Sequence, residues 1–291
     1  MTGTLNRERL AVRDFRRKFT NWVMVGGLFL MAILAIVPLL NIFIYVLRQG
    51  LPAIDFNFFT QLPAPVGETG GGMGNAILGT AILVGMACLV GVPLGISAGI
   101  YMAEYSGSKI ANTLRFAADL LGSIPSIIIG LFAYAVVVKP MHGFSAYAGS
   151  LALAVIMIPT VARTSEELLK LVPVHIREAG LALGIPRWKV TLRIVVRGAL
   201  GGIVTGLMLS IARAAGETAP LLFTALNNKY WSRGLNQPIA SLPVQIYTYA
   251  ISPFEDWHRQ AWAGALLLVS FVFLLNLITR FVLRGHASSK D

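Results

Sequence analysis

Two ionisable residues stand where ionisable residues are costly. Arg213 and Glu217 interrupt the run Ile211-Ala-Arg213-Ala-Ala-Gly-Glu217-Thr218-Ala-Pro220, which is otherwise made of apolar and small residues. If that run crosses a bilayer as a helix, Arg213, thirteen residues beyond Leu200, lies roughly 20 Å along it, well inside a hydrocarbon layer ~30 Å thick. Insertion scales put a charge at that depth at about 2.5 to 3.5 kcal/mol, so the guanidinium must face protein or water. The four-residue spacing puts Glu217 on the same helical face, and Gly206, Ser210 and Pro220 extend the stripe, with Thr218 beside it. An arginine presents a planar fork of donors to paired anionic oxygens and does not lose its proton. A carboxylate nearby accepts a hydrogen bond from an anion that still carries one proton. The same two residues can instead form a buried ion pair that holds helices together. Arg163, at the inner end of the preceding apolar segment, is a second candidate for the path and equally fits a residue that only fixes topology.

A second constellation lies just upstream. From Arg163 to Arg197 the chain has the grammar of helix, tight turn and helix. Glu166 and Lys170 stand in the favourable i, i+4 order for an ion pair. Pro173 opens a helix, Gly184 closes it in the left-handed conformation, and Pro186 opens the next. The small residues Ala179, Gly180, Ala182 and Gly184 leave a surface that a partner's groove can approach closely. Arg187, Trp188 and Lys189 supply anchors of the kind enriched in interfaces. Glu178 begins the small-residue stretch. Any basic loop on the inner side of a membrane shares much of this composition.

The elements that position these groups follow from composition. Over 291 residues, 56% are hydrophobic and only 13% charged, and the mean hydropathy is +0.71, which excludes an ordinary soluble domain. Six segments are long and apolar enough to span: Trp22 to Leu47, Ala76 to Met102, Phe116 to Val138, Ala148 to Ala162 (short, extending into its flanks), Leu200 to Ala225, and Ala261 to Leu283. The net charge of +11 follows topology. With the N-terminus inside, eighteen of the twenty-four Lys and Arg fall in inner segments and five in outer ones, Arg213 being the remaining one. Both termini are therefore expected in the cytoplasm. No single basic face with interleaved aromatics forms, so nucleic acid is not an expected partner; membrane lipid is. The expected fold class is an all-α polytopic membrane protein.

Three parts result: a basic cytoplasmic N-terminal segment over 1–20, a transmembrane domain over 21–285 with an inner loop at 163–198 and an outer loop at 48–75, and a cytoplasmic tail over 286–291. The first part is either a helix lying on an anionic inner leaflet, through Leu5, Val12, Phe15 and Phe19, or a disordered basic tail. The outer loop is dense in Pro and Gly, with one short amphipathic piece at Phe56 to Phe59. Gly91, Gly95 and Gly99 bare one helical face for close packing, and Pro93 and Pro125 are expected to kink or break their helices. Cys88 is expected to be a core residue. His142, His175, His258 and His286 are scattered without metal-ligand spacing, and no lysine follows a glycine as in a phosphate-binding loop, so the chain is expected to be no enzyme and to bind no metal or nucleotide itself.

Glu178-Ala179-Gly180, three residues to Gly184 and nine more to Ile194, is similar to the cytoplasmic loop signature of ABC importer permeases: Glu-Ala-Ala, three residues, Gly, nine residues, Ile, one residue, Leu-Pro. The spacing is complete. Gly180, Val196 and Arg197 depart from it, and the missing Pro implies that the fifth span continues directly out of the second loop helix. Pro93-Leu-Gly-Ile-Ser-Ala-Gly-Ile-Tyr-Met-Ala-Glu-Tyr105, Ser123-Ile-Pro-Ser-Ile-Ile-Ile-Gly-Leu-Phe132, Arg163-Thr-Ser-Glu-Glu167 and the run from Ile211 to Leu226 further resemble the phosphate-importer permeases of PstA type. The resemblance covers nearly the whole chain from about Gly74 onward.

It implies a type I importer permease fold in the inner membrane of a prokaryote, transporting phosphate by alternating access. The implied partners are a similar permease of PstC type in a heterodimer, PstB-type ATPase subunits holding ATP and Mg, and an external PstS-type phosphate-binding protein. The ATPase would dock on Glu178, Ala179, Gly180, Ala182, Gly184, Pro186 and Arg187. The path would carry Arg213, Glu217, Arg163, Ser210 and Thr218, with Glu217 accepting a hydrogen bond from protonated phosphate and refusing sulfate. Another oxyanion, sulfate or molybdate, fits the same architecture. A gradient-driven secondary transporter or channel fits the intramembrane charges, whereas a non-transporting scaffold leaves them without purpose.

Overall fold

The computed structural model describes the backbone of residues 2–68 and 70–287, and the side chains of residues 15–68 and 70–279. Contacts divide the chain into residues 1–49 and 50–291. The first unit is nearly all of α1 (Thr2–Gly50), a single helix of 49 residues that contains the expected span and passes through Pro38. The basic segment joins the span without a break. The side chains of Leu5, Val12, Arg7, Arg9 and Arg13 lie outside the described residues, as do residues 288–291 of the tail.

The second unit opens with a 3₁₀ turn (Leu51–Ala53) and α2 (Phe56–Thr60), the short piece expected in the outer loop. Asp55 caps α2 by accepting from the Phe58 N–H at 2.7 Å. Then follow α3 (Gly74–Glu104), α4 (Lys109–Ser123), α5 (Ser126–Ala133) running through a π turn into α6 (Lys139–Met141), and α7 (Ala146–Lys170). At the far end of α7 lies α8 (Val174–Ala182), and α9 (Arg187–Val190) leads through a second π turn into α10 (Val196–Ala215). The chain closes with α11 (Ala219–Leu222), α12 (Leu242–Ala250) and α13 (Glu255–Ala287).

Among the described residues, five helical stretches are long and apolar enough to cross a membrane: Phe15–Ala53, Gly74–Glu104, Ala146–Lys170, Arg187–Ala215 and Glu255–Thr279. The expected third span, Phe116 to Val138, is not one helix. α4 and the stretch Ser126–Met141 meet at 102°, with Ile124 extended and Pro125 opening α5. Proline disfavours the helical region for the residue before it, which is why the break falls at Ile124. Pro93, by contrast, does not interrupt α3. The fourth span extends through both flanks to 25 residues. The fifth starts earlier than expected, at Arg187, as the missing Pro implied, and stops at Ala215 rather than Ala225.

Small residues set the packing. A Cβ on Gly91 would lie 3.3 Å from the Ala154 carbonyl oxygen, one on Gly95 2.7 Å from Val161 Cβ, and one on Gly99 2.6 Å from Ser165 Cβ. The ascending order of partners shows that α3 and α7 run parallel, with the glycine face expected from the sequence pressed against α7. Gly202 and Gly206 meet Leu168 and Thr164 in descending order, so α10 runs antiparallel to α7. The core between them holds Leu83, Leu153, Met157, Ala214, Leu221 and Val244. Gly99→Leu is expected to lower stability by about 1 to 3 kcal/mol through overpacking, because the Ala162 carbonyl, 2.7 Å from the added Cβ, is backbone and cannot turn aside. A lowered melting midpoint of the detergent-purified protein checks this.

Candidate functional site

The expected polar stripe begins where α10 ends. Gly216 donates to the Arg213 carbonyl at 3.0 Å and closes the helix, Glu217 donates to the Ala214 carbonyl at 3.3 Å, and helical backbone resumes only at Ala219. Arg213 thus stands in the last turn of α10, where helix carbonyls favour a cation. Its Nε is 3.7 Å from Glu217 Oε1, within ion-pair range but longer than a hydrogen bond. The Arg213 side chain is 56% exposed and that of Glu217 16%.

Arg213, Glu217 and Thr218 are brought together at the break. The rest of the stripe is not: Ser210 is buried one turn earlier, Gly206 packs on Thr164, and Pro220 lies against Gly130 of α5. The depth of the break follows from α7. Ser145, just before α7, donates to the Thr224 carbonyl, and Thr164, nineteen residues on, meets Gly206. That stretch is ~28 Å of helix, and Arg213 sits about 10 Å from the Thr164 end. The gap in the helix therefore lies in the middle of the bundle's length. Non-helical backbone at such depth is tolerated only where it is buried in protein or lines a water-filled cavity.

Arg163 is not at this break. It reaches Glu166 Oε2 at 2.9 Å and Asp119 Oδ1 of α4 at 3.1 Å. Glu166 is fully buried and also accepts from Arg115 of α4 at 2.5 Å and from Lys170 at 2.6 Å, the pair read from the i, i+4 spacing. Arg115 in turn donates to the Met102 and Ser106 carbonyls at 2.6 and 3.2 Å. One carboxylate with three cations therefore joins the ends of α3 and α7 to the middle of α4. Among the described residues, no three His, Cys, Asp or Glu side chains gather as metal ligands would.

Beyond Lys170 the helix, turn and helix are as read. Gly184, at φ +72, ends α8 in the left-handed conformation, donating to the Leu181 carbonyl at 2.9 Å. Glu178, Ala179, Ala182, Gly184, Pro186 and Arg187 are exposed, alongside Leu181, Leu183 and Trp188. Gly180 departs from the expected surface. It is buried against Val190 and Ile194, and its missing side chain is what lets α8 fold back on α9. Glu104, the last residue of α3, went unread in the sequence: its carboxylate takes Arg177 Nε of α8 at 3.0 Å and Thr191 Oγ1 at 3.2 Å, and its carbonyl takes Arg187 Nη2 at 2.5 Å. Its partners lie more than seventy residues away, and no local spacing points to them.

Parallel and antiparallel apolar helices, a charged gap at mid-depth and an exposed helical elbow at one end together define a membrane transport component. The chain belongs to the family of binding-protein-dependent transport system inner membrane components, whose pattern matches residues 91–288. It is 47% identical over 271 residues to the phosphate transport system permease protein PstA of Haemophilus influenzae, covering 92% of this chain and 95% of that one. It is 38% identical to the probable phosphate transport system permease protein PstA of Methanocaldococcus jannaschii, covering 89% of this chain and 91% of that one. Among solved structures, an inward-facing MetNI methionine ABC transporter chain aligns with TM-score 0.59 at 19% identity, over 73% of this chain and 96% of that chain. This likeness shows that the two chains share a fold.

Proposed function

We propose that this chain is the membrane-spanning subunit of an ATP-driven importer that moves inorganic phosphate across the inner membrane, with both termini in the cytoplasm. The observation that carries this is the gap between α10 and α11, where a cation and a carboxylate stand at mid-depth on either side of a break in the helical backbone. Near full-length similarity to phosphate transport permeases supports phosphate as the anion. Arg213 supplies the fork for two phosphate oxygens, and Glu217 accepts the phosphate proton. Thr218 stands beside them, Ser210 lies buried one turn earlier on α10, and Arg163 serves the inner end of the path. The chain is not itself an enzyme. The exposed residues of α8 and the turn after it receive a separate ATPase subunit that holds ATP and Mg²⁺, a similar permease completes the path, and an external binding protein delivers phosphate.

The test is uptake into vesicles containing the assembled complex, with phosphate and sulfate in competition. ATP-dependent uptake of phosphate over sulfate is expected, and Glu217→Gln should cut that preference by about tenfold, the worth of a hydrogen bond to a charged group. Uptake without the ATPase would favour a gradient-driven transporter. A preference unaltered by Glu217→Gln would remove the selectivity role.

A further inference from the structure

Glu104 lies outside both the charged gap and the exposed docking residues, yet it is where the docking elbow is fastened to the bundle. Its side chain is 6% exposed. Arg177, on the face of α8 turned toward the bundle, divides its guanidinium three ways: Nε to Glu104 Oε1 at 3.0 Å, Nη1 to the Val172 carbonyl at 2.5 Å and Nη2 to the Leu169 carbonyl at 2.7 Å. The second carboxylate oxygen takes Thr191 Oγ1 from the start of the π turn below α10. Arg187 donates to the Glu104 carbonyl and lies over the Tyr105 ring at 4.5 Å from its centroid. One residue thereby holds α3, the end of α7, α8 and the base of α10.

We propose that Glu104 is the positioning residue that makes α3 move with α8, so that displacement of the docking elbow is delivered to α3 as well as to α10. The proposal rests on the reading of α8 as the ATPase-facing element. Continuity of chain alone links α8 to α7 and α10. α3 has no such link to α8; Arg115 and Glu166 tie its end toward α4 and α7, and Glu104 is what fastens it to α8 itself. A buried carboxylate clamped by a guanidinium and a hydroxyl resists sliding, because a displacement of an ångström or two breaks charge-assisted hydrogen bonds away from water.

The experiment uses the assembled complex in vesicles and measures three quantities: ATPase subunits retained on purification, ATP hydrolysed, and phosphate taken up. Glu104→Gln is expected to retain the ATPase and to go on hydrolysing ATP, while phosphate moved per ATP falls about tenfold, within the range of a typical coupling between sites. A smaller fall in the same ratio is expected for Thr191→Val, which removes one hydrogen bond to the same carboxylate and leaves Arg177 in place. Hydrolysis and uptake that fall together, or a ratio unchanged in both variants, would overturn the proposal. If Glu104→Gln yields no complex, Thr191→Val decides alone, a lowered ratio supporting the proposal and an unchanged one overturning it. Failure of the underlying docking assignment gives a different result: a cysteine placed at Ala182 would then form no crosslink to the ATPase in the otherwise unaltered complex.

Discussion

Glu166→Ala is expected to lower the stability of the folded chain by about 3 kcal/mol, far more than loss of any one of its cationic partners. The carboxylate is wholly excluded from solvent and accepts from Arg115, Arg163 and Lys170. Its removal leaves Arg115 without its closest partner, next to a cavity where α3, α4 and α7 meet. Lys170 is the natural control. Its side chain is 47% exposed and recovers hydration when freed, so Lys170→Ala should cost only about 0.5 kcal/mol. Melting curves of the two variants in detergent should separate clearly. If they coincide, the cluster is an ordinary surface arrangement and the joining of the three helices is misassigned.

Arg213→Ala should abolish most transport while leaving the fold intact. More than half of the side chain is exposed, and its 3.7 Å pair with Glu217 is too loose to contribute much stability. Loss of a bidentate, charge-assisted contact to the anion, worth about 3 kcal/mol, corresponds to roughly a hundredfold in uptake. Arg213→Lys keeps the charge without the fork and should recover only part of the loss. Vesicle uptake rates normalised to assembled complex provide the measurement. Equal rates for the alanine variant and the parent would assign the pair a structural role instead.

How much of this was legible in the sequence depended on how local the cause was. Helices that pack through Gly91, Gly95 and Gly99 announce themselves by period, and Glu166 and Lys170 by spacing. The turn at Gly184 is read from residue type because few other residues accept φ +72. The end of α10 at Ala215 was overlooked although Gly216 and Pro220 both signal it, because apolar composition continues to Ala225 and composition does not distinguish one helix from two. The 102° bend at Ile124-Pro125 is one of the two outcomes, kink or break, that Pro125 signals, and its size is set by packing that no local residue type encodes. Gly180 has the right residue type for close approach, but the approach is made by Val190 and Ile194 of the same chain. Arg115 and Glu104 were out of reach, since their partners are brought near only by the packing of α3 with α7 and the fold-back of α8.

The right-angled junction of α4 and α5 has a consequence for the surrounding lipid. Two helices meeting at 102° cannot both stand along the bilayer normal, so the pair forms a broken span or a re-entrant segment, and its longer arm is Ser126–Met141. Its sixteen residues reach only ~24 Å, several ångströms short of a typical acyl layer. α4 exposes Ile110, Phe116 and Leu120 on one side and ties Arg115 and Asp119 to α7 on another, the two-sided character of a helix that lies along a membrane interface. Where so short an arm meets lipid, longer acyl chains are mismatched to it, and vesicles of longer-chain lipid are expected to strain the corner of the bundle that Glu166 closes.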